Sequence, residues 1–191
     1  MKSNITKQEA INLIDKYLPT ETLKFHSIET EAIMRKLAIH FHQNEDLWGI
    51  TGLLHDLDMD VINGDYSQHG LKTVEILKSE GYDIPEMFDA IISHAEGVNE
   101  GGAKRVTDFD FILSAAENIT GMISAYVAVL PDKKIAGAKP SSIIKRLKTK
   151  AFAASVSREF IYDIEKTGLK LDEFLRLSID AMTEIADEIG M

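Results

Sequence analysis

The sequence predicts an all-α protein, a single-domain helical bundle of about eight helices over residues 1–191. Three observations carry this reading. Apolar residues recur at helical spacing along nearly the whole chain, and no stretch alternates with the two-residue period of a strand for long enough to build a sheet. Pro and Gly fall between the periodic stretches, where helices end. A chain of 191 residues, 45% of them hydrophobic, is long enough to bury one sizeable core.

The elements follow in order. Thr6 with Glu9 forms a capping box, and Ile11, Leu13, Ile14 and Leu18 carry an apolar stripe to Pro19. A second helix runs from about Glu21 to Gln43, with Phe25, Ile28, Ile33, Leu37 and Phe41 on its apolar face. Asn44 caps a third, from Glu45 to His55. A polar loop, Asp58 to Tyr66, turns at Asn63-Gly64. Ser67 is placed to cap a fourth helix ending at Gly81, and Pro85 suits the first turn of a fifth that reaches His94. After a glycine-bearing loop from Glu96 to Thr107, Asp108 is placed to cap a long apolar sixth helix that Pro131 ends. Residues 140–190 offer two or three more amphipathic helices, broken near Gly168. A core of about 20–130 with the C-terminal helices packed on it is the expected organisation.

Composition excludes several functions. With no cysteine there is no disulfide, thiolate metal site or cysteine nucleophile, so any transition metal is held by nitrogen and oxygen. The start, Met1-Lys2-Ser3-Asn4, leads into a charged amphipathic helix without a signal-peptide pattern, and a cytoplasmic location is expected. Phe111 to Leu130 is apolar but contains Glu117 and Asn118, which suits a core helix and not a membrane span. A net charge of −10 argues against general nucleic-acid binding.

Leu53-Leu54-His55-Asp56-Leu57 draws the chemistry together. A carboxylate and an imidazole placed among leucines are costly to bury unless something compensates, and a divalent metal does. His26, His55, His69 and His94 fall on separate predicted helices, the way bundles assemble metal sites from inward-facing side chains. His26 and His40 share a helix but lie about 21 Å apart along it, so they cannot serve one centre; His40 and His42 read as structural or surface residues. Taken singly, each histidine is more often a core or cap residue than a ligand. Glu117 is the only charged side chain between Phe111 and Leu130 and needs a partner, either a metal or a Lys or Arg reaching in from the tail.

These residues, in this order, resemble the HD-domain superfamily of metal-dependent phosphohydrolases. Leu53-Leu54-His55-Asp56-Leu57-Asp58 is similar to its signature, and His69-Gly70 through Lys78 to the segment that follows. Ala115-Ala116-Glu117-Asn118-Ile119-Thr120-Gly121 is similar to its last ligand segment. Pro131-Asp132-Lys133-Lys134 and Lys150-Ala151-Phe152-Ala153 resemble a small HDIG-type subgroup. The resemblance spans about 20–190. It implies a divalent metal centre of one or two ions (iron, manganese, zinc or magnesium) held by His26, His55, Asp56, His69, His94 and Glu117. Asp56 would be the carboxylate able to bridge two ions, and Asp56 and His55 would be catalytic. Glu117 stands where the family usually has aspartate.

The implied reaction is hydrolysis of a phosphoester in a nucleotide or other small phosphorylated molecule by metal-activated water. The alternative is a catalytically weak HD domain that binds metal or nucleotide for regulation. Asp58, Asp60 and Glu96 are candidates for assisting the leaving group. Lys104, Arg105, Lys133 and Lys134 are candidates for contacting substrate phosphate; segment 131–158 holds eight Lys or Arg against one acid, Asp132. The expected partners are that substrate and, as an alternative to a monomer, a second copy of the chain.

Overall fold

A computed structural model describes residues 1–191. It is all-α: α1 (Lys7–Tyr17), α2 (Glu21–His40), α3 (Glu45–Leu54), α4 (Leu71–Ser79), α5 (Pro85–His94), α6 (Asp108–Ala128), α7 (Pro140–Leu147), α8 (Arg158–Tyr162), α9 (Leu171–Glu184) and α10 (Ala186–Ile189). The extra helices relative to the sequence expectation are the short α8 and α10.

Helix α6 is the centre. Ile112, Leu113, Ala115, Ala116, Ile119, Met122 and Ile123 are fully enclosed, because α2 and α5 cover one side and α7, α8 and α9 the other. Its length and apolarity would suffice for a membrane span, but its apolar face is buried inside the bundle. The interior divides into two apolar clusters. One joins α2, α6 and the C-terminal helices through Ile33, Leu37, Leu113, Ile119 and Phe174. The other joins α1, α3, α4 and α5 through Leu18, Leu54, Leu77, Met87 and Ile91. Helices α2 and α3 cross closely at Gly52, where a Cβ would stand 2.9 Å from the Thr30 carbonyl oxygen. That crossing brings the end of α3 against the first turns of α2.

Three boundaries differ from the sequence expectation. Helix α2 stops at His40, because His42 takes a left-handed conformation (φ 55°) and the Gln43 N–H turns back to the Ala38 carbonyl. Thr107, not Asp108, caps α6: its hydroxyl accepts from the Asp110 N–H while the Asp110 carboxylate accepts from the Thr107 N–H, a reciprocal pair one residue earlier than expected. Ser67 does not cap α4. It sits in a short 3-10 turn, Tyr66–Gln68, and donates to Asp65, while α4 starts after Gly70 with a different cap.

Candidate metal centre

Six side chains from five places in the chain meet at the seam between the two apolar clusters. His26 projects from the second turn of α2; His55 and Asp56 follow the last residue of α3. His69 directly precedes Gly70 and α4, His94 is the last residue of α5, and Glu117 lies midway along α6. His55 and His94 are buried; His26 and His69 are partly open.

The hydrogen-bond network assigns the histidine tautomers. The His55 Nδ1–H donates to the Gly52 carbonyl at 2.8 Å, and the His94 Nδ1–H to the Ile91 carbonyl. The His69 Nδ1–H donates to Asp58 Oδ1 at 2.9 Å. The Thr120 hydroxyl donates to the Glu117 carbonyl (2.6 Å), so its oxygen is left to accept the His26 Nδ1–H at 3.0 Å. Every Nδ1 is therefore engaged by the chain, and every Nε2 turns its lone pair inward. All four Nε2 atoms stand around Asp56: His55 at 3.3 Å, His69 at 3.4 Å and His94 at 3.5 Å from Oδ1, and His26 at 3.5 Å from Oδ2. The His26 and His55 Nε2 atoms are 3.2 Å apart, and those of His69 and His94 are 3.1 Å apart.

Lone pairs that face each other at this separation repel unless a proton or a metal lies between them. Between His26 and His55 a proton is disfavoured. Burial pushes His55 down to about 3 and also lowers His26, although Asp56 opposes both shifts. Burial alone would raise Asp56, but the surrounding histidines, His55 foremost, outweigh it and hold the carboxyl well below its ordinary range. Neutral His26 and His55 with inward nitrogens are in the state that a transition-metal site requires of its imidazoles. Glu117 completes the set: its carboxylate, His26 and His55 place ligand atoms within 4.8 Å of one another, as do His55, Asp56 and His94. Burial, and then Asp56, push Glu117 well above the usual carboxylate range.

A family model described as the HD domain matches residues 25–122. The chain belongs to the HD-domain family. Searches of curated proteins and of solved structures return no match. HD domains form a superfamily of metal-dependent hydrolases and bind divalent metals; here the histidine–aspartate cluster within the matched span is where such an ion would fit.

Other expected residues are placed differently. Asp58 is not a loop acid open to solvent. It is fully buried and accepts from His69 Nδ1, from the Gly70 N–H at 2.6 Å and from the Thr73 N–H at 3.2 Å. It orients His69 and caps α4 from a distance, which is why Ser67 is not needed for that role. Asp60 accepts from the Thr20 N–H and hydroxyl, tying its loop to the start of α2. Glu96 accepts from the Arg105 N–H and pairs with Lys104 at 3.0 Å. Neither Asp60 nor Glu96 stands free to serve a leaving group. Lys104 is held outward by that ion pair. Arg105 is buried, stacked 3.6 Å over the Phe160 ring, and pairs through Nη2 with Asp163 at 3.4 Å. Its Nε and Nη1 have no acceptor, and its charge reaches Glu117. No Lys or Arg pairs directly with Glu117; Asn118 donates to it and to the Ser114 carbonyl. Lys133 and Lys134 lie in an exposed turn beyond α6, whose axis runs about 16 Å from Glu117 to its end. His40 is exposed at the end of α2.

Sequence reasoning missed Thr120, the orienting role of Asp58 and the buried Asp163. Two large clefts, of about 570 and 510 Å³, contain none of the six clustered residues, so cavity size does not mark this site.

Two predictions arise here. Gly70 has φ 76°, and a Cβ on it would stand 2.6 Å from the Ile91 carbonyl oxygen, at the contact that brings His69 beside His94. Gly70→Ala is expected to lower stability by about 2–4 kcal/mol in urea melts, from backbone strain and steric clash together. Glu29, one turn beyond His26, meets only the Ser124 hydroxyl, at 3.3 and 3.4 Å. Burial pushes it up to about 7 from 4.5. The folded carboxyl therefore keeps its proton where the unfolded one has released it, and stability falls as pH rises from 4.5 through 7, by about 3 kcal/mol in all. Glu29→Gln removes that loss. Its stability relative to the parent should climb between pH 5 and pH 8; a difference independent of pH would show that Glu29 titrates normally.

Proposed function

We propose that the chain is a metal-dependent phosphohydrolase that cleaves a phosphoester of a nucleotide or another small phosphorylated molecule. The observation that carries this reading is the convergence of four Nε2 lone pairs on Asp56 while every Nδ1 is engaged elsewhere. The two oxygens of Asp56 face different neighbours: Oδ2 faces His26, and Oδ1 faces His55, His69 and His94. The side chains that would hold an ion fall into two overlapping groups, His26, His55 and Glu117, and His55, Asp56 and His94, with His69 beside Asp56 Oδ1. Nitrogen and oxygen donors without thiolate suit iron, manganese, zinc or magnesium.

A divalent ion bound there supplies an acidified water and a Lewis acid for phosphate oxygens. The chain holds the ligands in their working tautomers: Gly52, Ile91, Asp58 and Thr120 each fix one imidazole, so little reorganisation is needed. Hydrolysis then breaks the bond between phosphorus and the ester oxygen and forms one to water oxygen, and the leaving oxygen takes a proton. Arg105, whose Nε and Nη1 have no acceptor and whose charge reaches Glu117, is the candidate cation for a phosphoryl group at the centre.

A second reading, a catalytically weak regulatory HD domain, draws on one observation: Glu117 is longer than the aspartate usual in the family and is engaged by Asn118. Metal content of the purified protein, followed by a screen of phosphomonoesters and phosphodiesters with added Mn²⁺, Zn²⁺, Fe²⁺ or Mg²⁺, separates the readings. Bound metal with turnover supports the enzyme. Bound metal with no turnover on any ester supports the regulatory module, and a chain that takes up no metal after reconstitution refutes the enzyme and leaves only a module that binds nucleotide.

A further inference from the structure

The cations of this chain are divided in two ways at once. Eight of the 21 Lys and Arg lie in residues 131–158, and none of those eight meets a carboxylate. Elsewhere every Lys and Arg except Lys78 and Lys170 sits in an ion pair, for example Lys16 with Glu80, Lys36 with Glu184 and Lys72 with Glu75. In a chain with 31 acids, pairing is the default, and a stretch that escapes it is kept clear of them. Lys133, Lys134, Lys139, Lys145, Arg146, Lys148 and Lys150 are all exposed.

The path of this segment matters as much as its charge. It leaves the far end of α6, packs α7 against α9 and α6 with Ile143 and Leu147 buried, and then turns through residues 149–157. The turn ends on the metal centre's own helix. The Ser157 N–H donates to Asn118 Oδ1 at 2.8 Å, and a Cβ at Gly121 would stand 3.1 Å from Val156. Asn118 is the neighbour of Glu117 and donates to it. The eighth cation, Arg158, clamps the turn by donating to the carbonyls of Phe152, Ala153 and Val156, and no carboxylate neutralises it. The segment that carries this unpaired charge thus starts at the end of α6 and closes beside Asn118, two points about 15 Å apart along that helix.

We infer that residues 131–158 form a track for a linear chain of phosphates, so that the substrate of the metal centre is a phosphate chain and not a single phosphate. The inference rests on the phosphohydrolase reading for the site at the track's end. A single phosphate at the histidine cluster cannot reach cations spread along α7, whereas each further phosphate of a chain engages another. The acidic remainder of the surface repels nucleic acid in general, which confines binding to what the track itself can hold.

The test measures equilibrium binding to the full chain loaded with Mn²⁺, using three probes: orthophosphate, inorganic tripolyphosphate and a 5′-phosphorylated oligothymidylate of about six nucleotides. At least one chain probe is expected to bind about tenfold or more tightly than orthophosphate, with affinity falling steeply as salt rises. The variant K145E/K148E/K150E should lose about tenfold or more in affinity for that probe and flatten its salt slope. Lys78→Glu with Lys170→Glu, the two unpaired cations off the track, should leave it unchanged. Preference for tripolyphosphate alone assigns an inorganic or nucleotide polyphosphate, and preference for the oligothymidylate alone assigns a nucleic-acid end. Equal affinity for all three probes, or chain affinity that survives the triple substitution, overturns the track. Track-dependent binding without hydrolysis of any probe overturns the phosphate chain as substrate and leaves the phosphohydrolase reading to its own ester screen.

Discussion

Asp56→Ala is expected to abolish the thermal response of the protein to metal. In the parent, Mn²⁺ or Zn²⁺ at about a hundred times its dissociation constant should add about 2.7 kcal/mol to folding stability. For a chain of this size that is about 5–10 °C in Tm. Asp56 is the one group that all four inward nitrogens share, at 3.3–3.5 Å, and both its oxygens are used. Its loss removes the negative charge that offsets a bound cation and the only carboxylate common to both halves of the cluster. His55→Ala should act alike, since His55 belongs to both groups of closely spaced ligand atoms. His40→Ala, exposed and distant on α2, should keep the full shift. The measurement is a calorimetric scan of each variant after chelation and after metal is restored. A metal-induced shift that persists in Asp56→Ala, or one lost equally in His40→Ala, would place the metal elsewhere.

What the sequence disclosed about this site follows from how each ligand is encoded. His55 and Asp56 are adjacent, flanked by leucines that bury them, and Glu117 is the lone charge on an apolar helix; burial and charge in conflict are visible without a structure. That His26, His69 and His94 join them depends on helix packing, which spacing alone does not give; the family resemblance supplied it. The neighbours that fix the imidazoles were not legible. Two of them, Gly52 and Ile91, act through backbone carbonyls, which carry no residue signature. Asp58 and Thr120 are ordinary residue types whose partners are 11 and 94 positions away. The caps failed for a local reason: Thr107 and Asp108 are both good capping residues side by side, and only the reciprocal bond with Asp110 chooses between them. Lys104 and Arg105 looked free in sequence because Glu96 and Asp163, which hold them, lie at separations of 8 or more residues.

The second large effect separates orienting from ligating. Asp58 and Asp56 are two residues apart, both buried and both beside His69, yet they answer to different needs. Asp58 takes three N–H donors, from His69, Gly70 and Thr73, and its own N–H is taken by the Thr73 hydroxyl. Removing the carboxylate leaves those three donors orphaned in a place water does not reach, at about 1–3 kcal/mol each before relaxation. Asp58→Ala is therefore expected to lose about 3–5 kcal/mol of stability with or without metal. Asp58→Asn should fall between, because an amide offers one accepting oxygen where the carboxylate offers two. Metal affinity should drop as well, by about 10–100-fold, because His69 loses the partner that holds its proton on Nδ1 and its lone pair on the inward Nε2. Urea melts of both variants, run after chelation and with saturating Mn²⁺, give the two numbers separately. If Asp58→Ala matched the parent's stability after chelation, its carboxylate would not be the cap of α4. If it kept the parent's metal increment, His69 would not be among the ligands, and the cluster would reduce to His26, His55, Asp56, His94 and Glu117.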